Sequence, residues 1–325
     1  MSDSTTRTMA DVAIRTRGLR KTFSSSGSEV EAVRGLDLEI GQGEFFGLLG
    51  PNGAGKSTTI GMLTTLVVPT GGEARVAGVD VVRRPVEVKR RIGVMSQNNT
   101  LDRQLTVAEN LEFRGRFFGM SAREARRRTD ELLDLFELSE RRKAKVYDLS
   151  GGQAKRIMIG RALMHRPEVL FLDEPTSGID PQTRINLWDA LRTLHAEGQT
   201  ILLTTHYMEE AEALCQRIAI VDHGEMLACD TVDDLKASTG ADTVFTVAYD
   251  APTPPPLDGL ADRPGVHKVE ADGGQVRVFA HGANGVLTEL VHAGSAAGIT
   301  VRDASTLRPS LESVFLALTG REYRE

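Results

Sequence analysis

Short uninterrupted apolar runs alternate with stretches where apolar positions recur every three or four residues. The runs are Phe45-Phe46-Gly47-Leu48-Leu49, Ile92-Gly93-Val94-Met95, Val169-Leu170-Phe171-Leu172, Thr200 to Thr204 and Ile218 to Val221. Such brevity without alternation suits strands covered on both faces, as in a central parallel sheet. Between them lie helical patterns: an amphipathic one after Thr59, then Pro85 to Arg91, Thr106 to Lys145, Ala154 to Leu163, and Gln182 to Ala196, stopped by Gly198. This is an α/β arrangement.

Ahead of it, Val12-Ala13-Ile14 and Gly18 to Phe23 predict a strand, Ser24 to Ser28 a loop, Val30 to Ile40 a second strand and Gly41-Gln42-Gly43 a tight turn. Pro69 to Glu73 predicts a turn and Ala74 to Val79 a strand. Asp222-His223-Gly224-Glu225, before Met226-Leu227-Ala228, predicts a closing hairpin.

The character changes near residue 241. Val244 to Tyr249 alternates as a strand, Ala251 to Pro256 is a stiff proline-rich loop, and Asp272-Gly273-Gly274 between Val266–Val269 and Gln275–Phe279 signals a hairpin. A helix over Gly285 to Ala293, a strand at Ile299-Thr300-Val301 and a helix over Ser310 to Leu318 complete a small α+β unit. The expected division is a disordered residues 1–11, a main domain over 12–236 with a helical subdomain about 98–165, and an accessory or dimerisation domain over 241–325.

Composition narrows the function classes. Net charge is −6 over 325 residues, which supplies no electrostatic pull toward nucleic acid. Two cysteines, Cys215 and Cys229, argue against a disulfide framework or a zinc site. The first residues lack the apolar core of a signal peptide, and no window approaches the roughly 18 apolar residues of a spanning helix. A membrane role therefore needs a partner. The basic group Arg123, Arg126, Arg127, Arg128, Arg141, Arg142, Lys143 and Lys145 reads as a solvated helix face or as a contact for an acidic partner or anionic headgroups.

The chemistry concentrates at strand ends. Gly50-Pro51-Asn52-Gly53-Ala54-Gly55-Lys56-Ser57-Thr58 joins a buried strand to a helix, the context of a phosphate-binding P-loop. Its glycines let successive N–H groups turn inward toward an anion, and the helix adds its positive dipole end. Lys56 can reach the β- and γ-phosphates, and Ser57 can offer its hydroxyl to Mg²⁺. Asp173 and Glu174 follow an apolar strand, where α/β sheets place ligands. Asp173 suits a Mg²⁺ ion, and Glu174 suits polarising an attacking water. Leu149-Ser150-Gly151-Gly152-Gln153 is either a second anion site at a helix start or a plain helix-start turn. His206 ends another strand as a structural hydrogen-bonder or a site residue. Phe23 is either an ordinary strand-end apolar residue or one that stacks on an adenine.

Taken in order, Lys56, Gln97, Leu149 to Gln153, Asp173-Glu174, Ser177 to Asp180 and His206 make residues 12 to 236 resemble an ABC-transporter ATPase subunit. The resemblance implies a P-loop NTPase ABC ATPase fold, with a mixed sheet core, an antiparallel β subdomain and a helical signature subdomain. It implies ATP and Mg²⁺ as ligands, with Gln97 linking the γ-phosphate and Mg²⁺ to the helical subdomain. Glu174 is then the hydrolytic base, His206 the holder of the γ-phosphate, Asp180 part of the D-loop, and Phe23 the adenine-stacking aromatic. It implies a head-to-tail homodimer in which Ser150 and Gly152, within the signature Ser150-Gly151-Gly152-Gln153, close over ATP bound to the partner. The D-loop carries Ile179 where leucine is commoner. The ending Ser310 to Gly320 resembles daunorubicin-resistance-type drug-export ATPases. That implies an exporter subunit for a drug, lipid or other amphiphile, at the cytoplasmic face of the membrane through a separate polytopic membrane subunit. The alternative is a soluble ABC ATPase acting on ribosomes or nucleic acid, whose usual tandem cassettes or long coiled coils the chain lacks.

Overall fold

A computed structural model describes residues 12–25, 28–238, 243–257, 259–280, 285–307 and 310–319. The expected disorder of residues 1–11 lies outside the described residues. The chain parts into two compact units at residues 232/233.

The first unit opens with β1 (Val12–Ser25) and β2 (Ser28–Gly41), paired antiparallel, and β3 (Phe45–Leu49). Helix α1 (Lys56–Leu63) follows, then β4 (Gly71–Val76), β5 (Val79–Asp80), α2 (Pro85–Arg91) and β6 (Ile92–Met95). Helices α3 (Val107–Phe117), α4 (Ala122–Leu135) and α5 (Gly151–Leu163) form a helical layer before β7 (Val169–Asp173). Helix α6 (Pro181–Ala196), β8 (Thr200–Thr205), α7 (Met208–Leu214), β9 (Arg217–Asp222) and β10 (Glu225–Thr231) close the unit.

One sheet runs β2-β1-β4-β5 and is antiparallel; the other runs β10-β9-β3-β8-β7-β6. Strands β9, β3, β8, β7 and β6 are mutually parallel, and only β10 at the edge is antiparallel. Every residue of β3, β7 and β8 is buried, which is why these strands read as unbroken apolar runs. Because they are parallel, all their C-terminal ends meet one edge, and the register puts Leu49 beside Thr205 and Asp173 beside Thr204.

Several expectations change. Helix α1 is not amphipathic: Lys56 and all of Thr59 to Leu63 are buried, so core surrounds it on most sides. The strand expected over 74–79 begins earlier, at Gly71, and breaks at Ala77 and Gly78, both with positive φ, before β5. The long block over 106–145 resolves into α3 and α4, each started by a reciprocal cap, Thr106 with Glu109 and Ser121 with Glu124. Its basic group is partly engaged internally. Arg127 and Arg128 pair with Glu131, Arg142 with Glu112 and Asp130, and the Lys145 amine donates to the Gln104 carbonyl.

In the second unit the antiparallel sheet runs β12-β13-β11-β14, with β11 (Thr243–Tyr249), β12 (Val266–Asp272), β13 (Gln275–Ala280) and β14 (Val301–Leu307). Helix α8 (Val232–Ser238), which no sequence pattern flagged, precedes them, and α9 (Val286–Ala296) and α10 (Leu311–Thr319) are the other helices. The strand expected at Ile299 to Val301 starts where that segment ends. Buried Tyr249 anchors α9 by donating its hydroxyl to the Leu290 carbonyl at 2.8 Å, and Gly294 lets the helix approach the ring.

Candidate functional site

The P-loop, residues 50–58, leaves β3 at the shared C-terminal edge. Gly55 has φ of 101°, and a Cβ there would meet the Ala32 carbonyl oxygen at 2.4 Å. Gly50 abuts the Val221 carbonyl oxygen, where a Cβ would lie 2.2 Å away. The loop is thus wedged between two strands' main chains at positions that tolerate no side chain. Asn52 and Gly53 are exposed at its tip, while Lys56 is 4% exposed. Its ammonium donates to the carbonyls of Gly50 (2.6 Å) and Pro51 (3.0 Å) and lies 3.6 Å from Glu174 Oε1. Burial pulls its pKa below the usual lysine range, against the opposing charges of Glu174 and Asp173.

Glu174 gathers the groups that lie far apart in sequence. Its Oε1 sits 3.2 Å from His206 Nδ1, and its Oε2 accepts from Gln97 Nε2 at 3.2 Å. Gln97 follows β6, Glu174 follows β7, His206 follows β8 and Lys56 follows β3, so four parallel strands deliver them to one point. The Glu174 backbone has φ of 48°, a left-handed conformation costing a β-carbon residue about 1 kcal/mol. Its N–H is held by the Thr204 carbonyl at 3.1 Å, with the Thr204 hydroxyl at 3.2 Å.

Asp173 Oδ1 accepts from Thr204 Oγ1 at 2.6 Å and from Ser57 Oγ at 3.2 Å. A hydroxyl and a carboxylate so close match cis ligands of a hard octahedral cation, whose oxygens are about 2.9 Å apart for bonds near 2.05 Å. Among the described residues no three His, Cys, Asp or Glu side chains gather as a metal cage. An ion would therefore rest on a sparse oxygen set, as magnesium bound mainly to phosphates does.

The segment Ser150-Gly151-Gly152-Gln153 starts α5 three residues earlier than its apolar pattern suggests. Ser150 is the N-cap, accepting from Gln153 N at 3.2 Å, while the Gln153 side chain accepts from Ser150 N at 3.0 Å. Gly151 is exposed with open space at its Cα, so the helix N-terminus faces outward. Gly152 faces inward instead, against Thr183 of α6. Asp180 caps α6 by accepting from Thr183 N at 2.9 Å. Phe23 lies near the far end of β1, paired with Val30, exposed, with the Lys21 ammonium 4.9 Å from its ring centre. Thus Lys56, Gln97, Glu174, His206, Ser57 and Asp173 converge, whereas Phe23 pairs with Val30, Ser150 with Gln153 and Asp180 with Thr183.

Two contributors escaped the sequence reading. Thr204, fully buried, bridges Asp173 and Glu174; its only signal was a hydroxyl two residues before His206 in an apolar strand. Lys155, on α5, donates to Ser177 Oγ at 3.0 Å and the Glu174 carbonyl at 3.4 Å, and also contacts the Ser177 carbonyl.

Comparison with known proteins agrees with this geometry. The ABC transporter family model matches residues 33–177. The chain is 42% identical to the daunorubicin resistance ATP-binding protein DrrA3 of Streptomyces coeruleorubidus, over 97% of this chain and 98% of that one. It is 40% identical to the linearmycin resistance ATP-binding protein LnrL of Bacillus subtilis (strain 168), over 90% and 95%. Among solved structures, a dimeric ATP-binding cassette in a post-hydrolysis state with ADP and phosphate is similar at a TM-score of 0.63 and 30% identity, covering 67% of this chain and 98% of that one.

Proposed function

Since the chain belongs to the ATP-binding subunits of ABC transporters and hydrolyses ATP, we propose that it powers an exporter of a drug, lipid or other amphiphile. The observation that carries the residue assignments is the single carboxylate of Glu174, held among Lys56, Gln97 and His206 beside the P-loop. The P-loop N–H groups cradle the phosphates, and Lys56 exchanges its carbonyl partners for phosphate oxygens. Glu174 accepts the proton of the attacking water, Gln97 orients that water, and His206 donates to the γ-phosphate. Ser57, Asp173 and Gln97 would hold Mg²⁺, which when bound neutralises phosphate charge.

Two protomers act together in this reading. The outward-facing N-terminus of α5, with Ser150 and the open backbone at Gly151, suits the ATP of a second copy, and Asp180 lies beside it at the start of α6. Support comes from the similar cassette described as dimeric. Phe23, if it stacks on adenine, does so from the exposed end of β1. The membrane is reached through a polytopic partner, since no described helix is long and apolar enough to cross one. The segment from Gln97 to Phe118 suits that contact, with Phe113 and Phe117 exposed on α3. The reading of export rests on the relatives named for daunorubicin and linearmycin resistance.

The test is Glu174→Gln in the full chain. Expected are retained ATP binding, a hydrolysis rate lowered by about 10²- to 10⁴-fold, an ATP-trapped dimer on gel filtration, and a polytopic membrane protein co-purifying from solubilised membranes. Hydrolysis at the parental rate removes Glu174 as the base. Co-purified ribosomal proteins instead of a membrane subunit overturn the exporter reading.

A further inference from the structure

The loop from Glu174 to Ser177 is held by a side chain that belongs to neither the P-loop nor the strands. Lys155 stands on the second turn of α5, whose first turn carries Ser150 and Gly152. Its ammonium donates to the Ser177 hydroxyl and the Glu174 carbonyl at 3.0 and 3.4 Å, contacts the Ser177 carbonyl, and is half-buried. The Ser177 hydroxyl itself donates to the Glu174 carbonyl at 3.1 Å, closing a small ring of hydrogen bonds over the base's own peptide.

A buried carboxyl group lies near this cluster. Glu210, on α7 four residues after His206, is completely buried and accepts from Trp188 Nε1 of α6 at 3.3 Å. The Thr176 and Thr205 hydroxyls face the same carboxyl group, whose pKa burial raises, against these hydrogen bonds and the Arg184 charge. Burial pushes the Lys155 pKa down, with the Glu210 and Glu174 charges opposing it. Helices α5, α6 and α7 therefore converge on residues 174–177, with two cations near Glu210, the Lys155 ammonium of α5 and the Arg184 guanidinium of α6, of which Lys155 reaches the Glu174 peptide.

We propose that Lys155 is a positioning residue for hydrolysis, tying the signature helix to the peptide of Glu174. It holds that residue in its left-handed conformation. When Ser150 and the open backbone at Gly151 at the start of α5 engage the ATP of the second copy, the same rigid helix carries the displacement to Ser177 and the base. Engagement of one nucleotide is thereby felt at the other site of the dimer. This mechanism rests on the dimeric reading above, whereas the contact of Lys155 with the base's loop does not.

The experiment compares Lys155→Met and Lys155→Arg in the full chain, each with and without Glu174→Gln. Lys155→Met is expected to lower kcat roughly 10- to 100-fold, as a slightly misplaced base does, with KM for ATP changed less than about twofold and with the Hill coefficient falling toward one. Lys155→Arg, which keeps charged donors, recovers most of kcat. In the Glu174→Gln background, Lys155→Met still forms the ATP-trapped dimer, because Lys155 is engaged with the loop of Glu174 and Ser177 and is no part of the P-loop. An unchanged kcat, or kcat and ATP affinity falling together in both variants, overturns the proposal. Absence of the trapped dimer in Glu174→Gln alone overturns the dimeric reading instead, leaving the kcat comparison to decide the role of Lys155.

Discussion

Gly152 offers the sharpest test of how the signature helix is seated. A Cβ at this position would lie 2.2 Å from Thr183 Cγ2 of α6, a distance no pair of carbons tolerates, while the next atoms, Thr183 Cβ and Oγ1, lie at 3.3 and 3.6 Å. The obstruction is thus one methyl group. Gly152→Ala should overpack the junction by about 1–3 kcal/mol, partly offset by the better helix propensity of alanine, worth up to about 1 kcal/mol. The net loss of about 1–2 kcal/mol should lower the melting temperature by about 2–8 °C for a unit of this size. Thr183→Ser removes that methyl and keeps the backbone N–H that Asp180 caps. The double variant should regain most of the loss, giving a coupling energy of about 1 kcal/mol or more in a thermal double-mutant cycle. Differential scanning fluorimetry of the four proteins, without nucleotide, separates this packing effect from any role of Gly152 near ATP. A Gly152→Ala protein that melts with the parent, or a double variant no better than the single, refutes the argument that the close helix contact requires glycine there.

Two further outcomes follow from particular contacts. Thr204→Val keeps the shape but removes the hydroxyl that donates to Asp173 Oδ1 and lies against Glu174 N; steady-state hydrolysis should fall about tenfold or more, since a buried carboxylate loses a charge-assisted bond worth about 1.5–3 kcal/mol. His165, its Nε2 2.9 Å from the Ile92 carbonyl and its ring stacked on Phe118, has its pKa lowered by burial from 6.5 to about 4. The folded chain thus binds fewer protons than the unfolded one between those values, so stability is present above 6.5 and declines as pH falls toward 4. Melting curves across that window should show a shallower acid decline for His165→Gln, and an identical slope would count against the assignment.

The P-loop turn, the acidic strand end and the start of α5 were legible because each is local: glycine spacing, an apolar run and a capping pattern each lie within a few residues of chain. The central strands were legible for the same reason, their burial on both faces written as runs without alternation. Boundaries failed where geometry outweighed composition, as at Ala77 and Gly78, where a two-residue turn splits a strand, and in α1, whose polar threonines are buried by the surrounding core. By itself the sequence determined which residue types would stand at each strand end. Only the tertiary structure decided that four parallel strands would bring Lys56, Gln97 and His206 to the carboxylate of Glu174, with Thr204 and Lys155 hydrogen-bonded beside it. The physical reason is that strand order and register, set by long-range burial of apolar faces, bring together side chains far apart in the chain, Gln97 and Glu174 being 77 residues apart and Ser57 and Asp173 116. No local pattern encodes that distance.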